Sequence, residues 1–306
     1  MILPPVLKSG DTVALVATAR SVAREGMQPA ISLLRSWGLK VTESSNLYAS
    51  CNQFAGTDSQ RAADLQLALD DEKVKAILFA RGGYGTVRIV DQIDFSSFCK
   101  KPKWLIGFSD ITVLHAHINQ LFGTATLHAP LALTLPDAPA EVHQQLYDIL
   151  FHGKIPVQTV APHPLNKTGE VTAEIVGGNL SVLYSLGGSK SALNTEGKIL
   201  FFEDIGEYRY HLDRMMMFLK RSGMLNSLKG LIVGAMTDIN DYSGYPVPFG
   251  KEAYEIVASH AQEFNYPVCY GFPAGHIAGN YPLITGGTYR LCVNATYVEL
   301  AGSLAS

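Results

Sequence analysis

The chain has 306 residues, long enough for two domains that each bury a core. Hydrophobic residues make up 47% and charged residues 17%, the balance of a globular soluble protein, and a net charge of −3 with scattered Lys and Arg argues against a nucleic-acid partner. The N-terminus lacks a basic leader and Thr12 to Ala17 is too short to span a bilayer, so neither export nor a membrane partner is expected.

After Pro4 and Pro5, Thr12 to Val16 reads as a buried strand, and a helix follows with Ile31, Leu34 and Trp37 on one face before Gly38 stops it. The turn between them, Ala17-Thr18-Ala19-Arg20-Ser21, has no glycine, which argues against a dinucleotide fingerprint. Val41 marks a second strand, Asp58 to Asp71 a helix, Ala76 to Ala80 a third strand and Thr86 to Ile93 a helix. Trp104 to Gly107 (strand), Asp110 to Leu121 (helix), Ala125 to Leu127 (strand) and Ala140 to Leu150 (helix) continue the alternation. This pattern predicts an α/β domain over residues 1–150, with a parallel sheet and helices on both faces.

Periodicity stops between residues 151 and 169, where Pro156, Pro162 and Pro164 sit among polar residues, and a linker is expected. The second domain, residues 170–306, opens with a strand over Glu170 to Val176, and Gly177-Gly178-Asn179 turns into a short helix through Leu180, Leu183 and Leu186. Gly197 to Phe202 is a strand leading to Glu203, and Tyr208 to Ser222 a helix whose Met215 and Met216 read as core packing. Leu231 to Ala235 (strand), Lys251 to Phe264 (helix) and Val268 to Tyr270 (strand) follow, and Tyr289 to Val293 with Tyr297 to Leu300 form a terminal hairpin.

Four places carry candidate chemistry. Ser109 stands at a strand-to-helix corner, where its hydroxyl serves either as a nucleophile beside free backbone N–H groups or as a plain helix cap. Arg81-Gly82-Gly83-Tyr84-Gly85 lets the backbone approach a ligand, or is a flexible turn; no Gly-Lys-Ser/Thr follows, so Walker A is excluded. A serine nucleophile needs a base: His128, ending a strand, and His276, on a Gly/Pro-shaped loop, both compete, whereas His115 and His117 lie on the helix after Ser109 and read as packing or surface residues. Glu203 and Asp204 end an apolar strand, facing a partner or capping the next turn. Cys51, Cys99, Cys269 and Cys292 lack metal-ligand or disulfide spacing, so no metal and no cofactor is expected and reduced, cytoplasmic thiols fit.

Arg81-Gly82-Gly83-Tyr84-Gly85, Gly107-Phe108-Ser109-Asp110, Gly177-Gly178-Asn179-Leu180, Leu200-Phe201-Phe202-Glu203-Asp204 and Gly271-Phe272-Pro273-Ala274-Gly275-His276 occur in that order, and together they resemble the LD-carboxypeptidase family of serine peptidases. The resemblance implies a flavodoxin-like N-terminal domain, a smaller C-terminal α/β domain, a site between them and a homodimer without metal. It implies Ser109 as nucleophile, His276 as general base, Glu203 as the orienting carboxylate, and the backbone N–H groups of Gly83 and Asp110 as the oxyanion hole. The substrate it implies is a murein tetrapeptide, with Arg81, Tyr84 and Asn179 as candidate contacts and Arg81 suited to the free carboxylate. Two departures stand out: Ile277 to Gly287 differs from the family's usual Pro-Asn and Leu-Pro-Leu-Gly type segment, and His128-Ala129-Pro130 replaces His-Gly-Pro. A microcin-immunity type hydrolase of aminoacyl-nucleotide analogues, or a non-catalytic two-lobed binding protein in which Ser109 is only a cap, are the other readings.

Overall fold

The computed structural model describes residues 1–244 and 246–303. In chain order the strands are β1 (Thr12–Val16), β2 (Lys40–Glu43), β3 (Val74–Phe79), β4 (Trp104–Gly107), β5 (Thr126–His128), β6 (Gln158–Val160), β7 (Gly169–Asn179), β8 (Ile199–Ile205), β9 (Gly230–Thr237), β10 (Val268–Tyr270), β11 (Leu283–Thr285), β12 (Thr288–Val293) and β13 (Val298–Ser303). The helices that position the site are α1 (Arg24–Ser36), α2 (Asp58–Asp70), α3 (Ser96–Lys100), α4 (Thr112–Phe122), α5 (Ala140–Tyr147), α6 (Leu180–Ser185) and α7 (Arg209–Arg221).

Among the described residues the strands form a six-stranded sheet in the order β11-β5-β4-β3-β1-β2 and a seven-stranded one in the order β10-β9-β8-β7-β12-β13-β6. β1 to β5 are mutually parallel, because each is joined to the next through a helical crossover. The expectation of an all-parallel first sheet is corrected at one edge: β11 pairs antiparallel with β5, Leu283 opposite His128 and Thr285 opposite Thr126. Leu-Ile-Thr between Pro282 and Gly286 is too short to show a period, and only the partner strand makes it a strand.

Two other expectations change. Thr86 to Ile93 forms two 3₁₀ turns, Thr86–Arg88 and Val90–Gln92, in place of a helix. Val87, Ile89 and Val90 are β-branched and the segment is short, so nothing sustains a full turn of α-helix. The expected linker contains β6, which pairs with β13 at the edge of the second sheet, where neighbouring prolines are tolerated.

The core is continuous across the two halves. Leu114 and Ile118 of α4 belong to one buried cluster with Val176, Leu200, Met215 and Met216, so the methionines are packing residues. The approach is close where β7 ends: a Cβ on Gly178 would lie 2.4 Å from Thr112 Oγ1, while the Asn179 amide donates to that same hydroxyl at 2.8 Å. Glycine there lets the second sheet reach the helix that starts behind Ser109, so the loops after β1, β3, β4, β8 and β10 open onto one crevice.

Candidate active site

Ser109 follows β4 and has φ +63°, a left-handed conformation that costs an ordinary residue of order 1–3 kcal/mol. The corner lifts the side chain out of the strand line, and the hydroxyl makes no helix cap. It faces His276, with Ser109 Oγ 3.1 Å from His276 Nε2, while His276 Nδ1 lies 2.7 Å from Glu203 Oε2. Glu203 is fully buried at the end of β8, and Gly275 admits it: a Cβ there would stand 2.6 Å from Glu203 Oε2. The sequence left the base open between two histidines, and the three side chains Ser109, His276 and Glu203 are the ones that meet.

His128 does not reach the crevice, contrary to expectation. It is fully buried, wedged beside Phe108 and Phe201, and its Nε2 is 3.3 Å from Asn280 Oδ1. That oxygen also accepts from the Gly275 amide at 2.8 Å, so His128 braces the loop that carries His276. Burial pushes its pKa down to about 3, which keeps it neutral. His115 is likewise buried, bonded to Thr126 and to the Gly107 carbonyl, and pushed by burial to about 4. His117 packs inside against Ser191.

The glycine loop after β3 is pinned from below. Asp110 Oδ2 accepts the Thr86 amide at 2.9 Å, and burial raises the Asp110 pKa. Arg61, on α2 and fully buried, donates to the Gly85 carbonyl at 2.9 Å and to the Thr18 carbonyl, and pairs with Asp58. One buried cation therefore ties the loops after β1 and β3 together. No motif marks Arg61; its only sequence signal is an arginine on the apolar side of an amphipathic helix.

Asn179 was a substrate-contact candidate, and its side chain is committed to protein partners. Its Nδ2 donates to Glu203 Oε1 at 3.3 Å and Asp204 Oδ1 at 3.0 Å, and its Oδ1 accepts from Ser181 and Val182. It bridges the two carboxylates and caps α6. Tyr84 is exposed and packs on Phe54 at the mouth of the loop. Arg81 lines the crevice with Arg20, which the motifs did not single out.

The crevice consists of two adjoining cavities of about 470 and 380 Å³ that share Phe108, Thr134, Ile205 and His276. The larger holds Ser109, Arg20, Arg81, Gly83 and Asp204, and the smaller is mostly apolar. Among the described residues, no cluster of three or more His, Cys, Asp or Glu is placed to hold a metal ion. No helix among them is long and apolar enough to cross a membrane.

Asp204 carries a pH prediction. Burial first and the adjacent Glu203 charge second push its carboxyl up to about 7, against the N–H groups of Asn179 and Ile205 that favour the ionised form. The folded protein thus keeps a proton that the unfolded chain releases near pH 3.9, a typical aspartate value. The stabilising contribution is full below that pH and is lost as the pH rises to about 7. Melting temperatures across this window should fall more steeply for the parent than for Asp204→Asn; parallel curves would contradict the assignment.

A serine on a strained strand-to-helix corner, bonded to an imidazole that a buried carboxylate orients, defines with this two-lobed α/β fold a serine-type hydrolase. The chain belongs to the LD-carboxypeptidase family: the N-terminal domain of that family matches residues 13–129 and its C-terminal domain residues 172–291. A Bacillus subtilis (strain 168) protein described as a probable murein peptide carboxypeptidase is 36% identical over 280 residues, 89% of this chain and 86% of the relative. The crystal structure of a muramoyltetrapeptide carboxypeptidase from Oxalobacter formigenes superposes with a TM-score of 0.83 at 27% identity, over 95% of this chain and 98% of that one. MccF in complex with glutamyl sulfamoyl guanosine superposes with a TM-score of 0.87 over the full length of both chains, but at 19% identity this similarity concerns the fold.

Proposed function

We propose that the protein is an LD-carboxypeptidase that removes the C-terminal D-alanine from murein tetrapeptides, in a cytoplasmic step of peptidoglycan recycling, through Ser109, His276 and Glu203. The observation that carries the reading is the unbroken relay from Ser109 Oγ through the imidazole to Glu203, at 3.1 and 2.7 Å. His276 Nε2 takes the hydroxyl proton as Oγ attacks the carbonyl before the D-alanine, and Glu203 holds Nδ1–H and stabilises the imidazolium. The backbone N–H groups of Gly83 and Asp110 receive the oxyanion. The imidazolium returns the proton to the leaving amine, D-alanine departs, and water deacylates Ser109 by the same route.

Support for a peptide over a nucleotide substrate lies in the crevice walls. Among the described residues, Phe108 is the one aromatic carbocycle lining either cavity, and it packs on His276 at 4.7 Å. A base sandwich needs more. The four cysteines are free, which suits the reducing cytoplasm. The homodimer implied by the family resemblance belongs to the same proposal and is read from the mass in solution.

The test is to incubate the protein with murein tetrapeptides carrying meso-diaminopimelate or lysine at the third position and to follow free D-alanine and tripeptide. Stoichiometric release of both supports the reading. Intact tetrapeptide, with hydrolysis of an aminoacyl sulfamoyl nucleotide under the same conditions, would replace it with the microcin-immunity type.

A further inference from the structure

We propose that Arg20 and Arg81 form a paired guanidinium subsite that grips the free terminal carboxylate of the substrate and makes the enzyme an exopeptidase. This rests on the peptidase reading above. Arg20 stands in the turn after β1 and Arg81 in the turn after β3; these strands are hydrogen-bonded neighbours, so the two turns emerge side by side. Arg81 Nη1 lies 3.3 Å from the Ser21 carbonyl, which links its turn to that of Arg20. The Arg20 arm lies over Gly83: a Cβ added there would stand 2.7 to 2.9 Å from its Cδ, Cγ and Nε. On the neighbouring Gly82 a Cβ would stand 3.1 Å from Ser109 Oγ. Arginine, glycine loop and nucleophile therefore follow one another along the wall of a single cavity of about 470 Å³.

Charge points the same way. Among the described residues five arginines, Arg20, Arg35, Arg81, Arg214 and Arg221, have no carboxylate partner, and of these Arg20 and Arg81 line the cavity that holds Ser109. The one acidic side chain that lines this cavity, Asp204, is engaged by the amides of Ser181 and Ile205 and by Asn179. Two like charges facing one crevice without a counter-ion suit an anionic ligand, and planar guanidinium forks match a carboxylate with parallel hydrogen bonds.

The substrate has internal carboxylates as well as the terminal one, and three peptides separate them: the tetrapeptide acid, its C-terminal carboxamide, and the peptide amidated at the internal glutamyl α-carboxyl. The parent should favour the acid over the terminal amide by roughly 10- to 100-fold in kcat/KM, as expected for charged hydrogen bonds. In Arg20→Gln that ratio should collapse to within a few-fold, chiefly through a raised KM for the acid, and Arg20→Lys should restore part of it. Arg81→Gln should act in the same direction. Should the parent and Arg20→Gln show the same acid-to-amide ratio while D-alanine is released normally, the subsite is wrong and the peptidase reading survives. Loss of discrimination against the internally amidated peptide alone would reassign the pair to that carboxylate. If the parent releases no D-alanine from any peptide, both readings fall together.

Discussion

Replacing Ser109 by alanine is expected to lower kcat by roughly 10³- to 10⁶-fold, the range for loss of a triad nucleophile, without unfolding the protein. Among the described residues the hydroxyl is bonded to His276 alone and caps no helix, so removing it leaves no buried donor unpaired. The backbone strain is untouched, because alanine keeps the Cβ that makes φ +63° unfavourable. Ser109→Gly separates the two properties. It should be as inactive as the alanine variant and yet more stable, by about 1 kcal/mol, since glycine adopts positive φ without the Cβ clash. Urea midpoints and D-alanine release on the same preparations check both halves. Activity within tenfold of the parent in either variant would remove Ser109 from the covalent step, and equal stability of the two would mean that the corner stores no strain.

Much of this site can be read from the chain because its parts lie where a parallel α/β sheet ends its strands. The apolar run Trp104 to Gly107 and the helical spacing after it place Ser109 at a corner, and Phe202 leading into Glu203 places a carboxylate at another strand end. Local pattern does not reveal contacts made over long sequence separation. β11 is a strand only because β5 lies beside it, 155 positions back at the pair Leu283 and His128. Arg61 looks like any helix arginine until the carbonyls of Thr18 and Gly85 are brought over it. Arg20 lacked a motif because its relevance arises from the neighbouring turn, and the amide of Asn179 is consumed by two carboxylates 24 and 25 residues away. His128 shows the opposite error. Position at a strand end made it a candidate, but its neighbours Phe108 and Phe201 close over it.

The second large effect concerns the base and its carboxylate. His276→Ala should reduce turnover about as far as Ser109→Ala, and Glu203→Gln by about 10⁴-fold, the size seen when an orienting carboxylate becomes an amide. The glutamine would set an N–H₂ group against either the imidazole N–H or the Asn179 donor, so it cannot satisfy both partners of Glu203. Combining either change with Ser109→Ala should add almost nothing, because a nucleophile, its base and the base's acceptor act as one unit. Glu203→Gln carries a second signature: without the Glu203 charge the Asp204 carboxyl should titrate below its value of about 7, which moves the pH window of stability loss downward. His128→Ala should behave differently. It removes a fully buried ring from between two aromatic neighbours, so the loss is chiefly one of stability, of order 2–5 kcal/mol as for other large-to-alanine core changes. At temperatures where that variant stays folded its kcat should lie within about tenfold of the parent, since His128 reaches the reacting atoms only indirectly, through Asn280 and the Gly275 amide and through Phe108, which packs on His276. A folded His128→Ala protein as dead as Ser109→Ala, beside a His276→Ala protein that keeps most of its rate, would move the base to His128 and break the proposed relay.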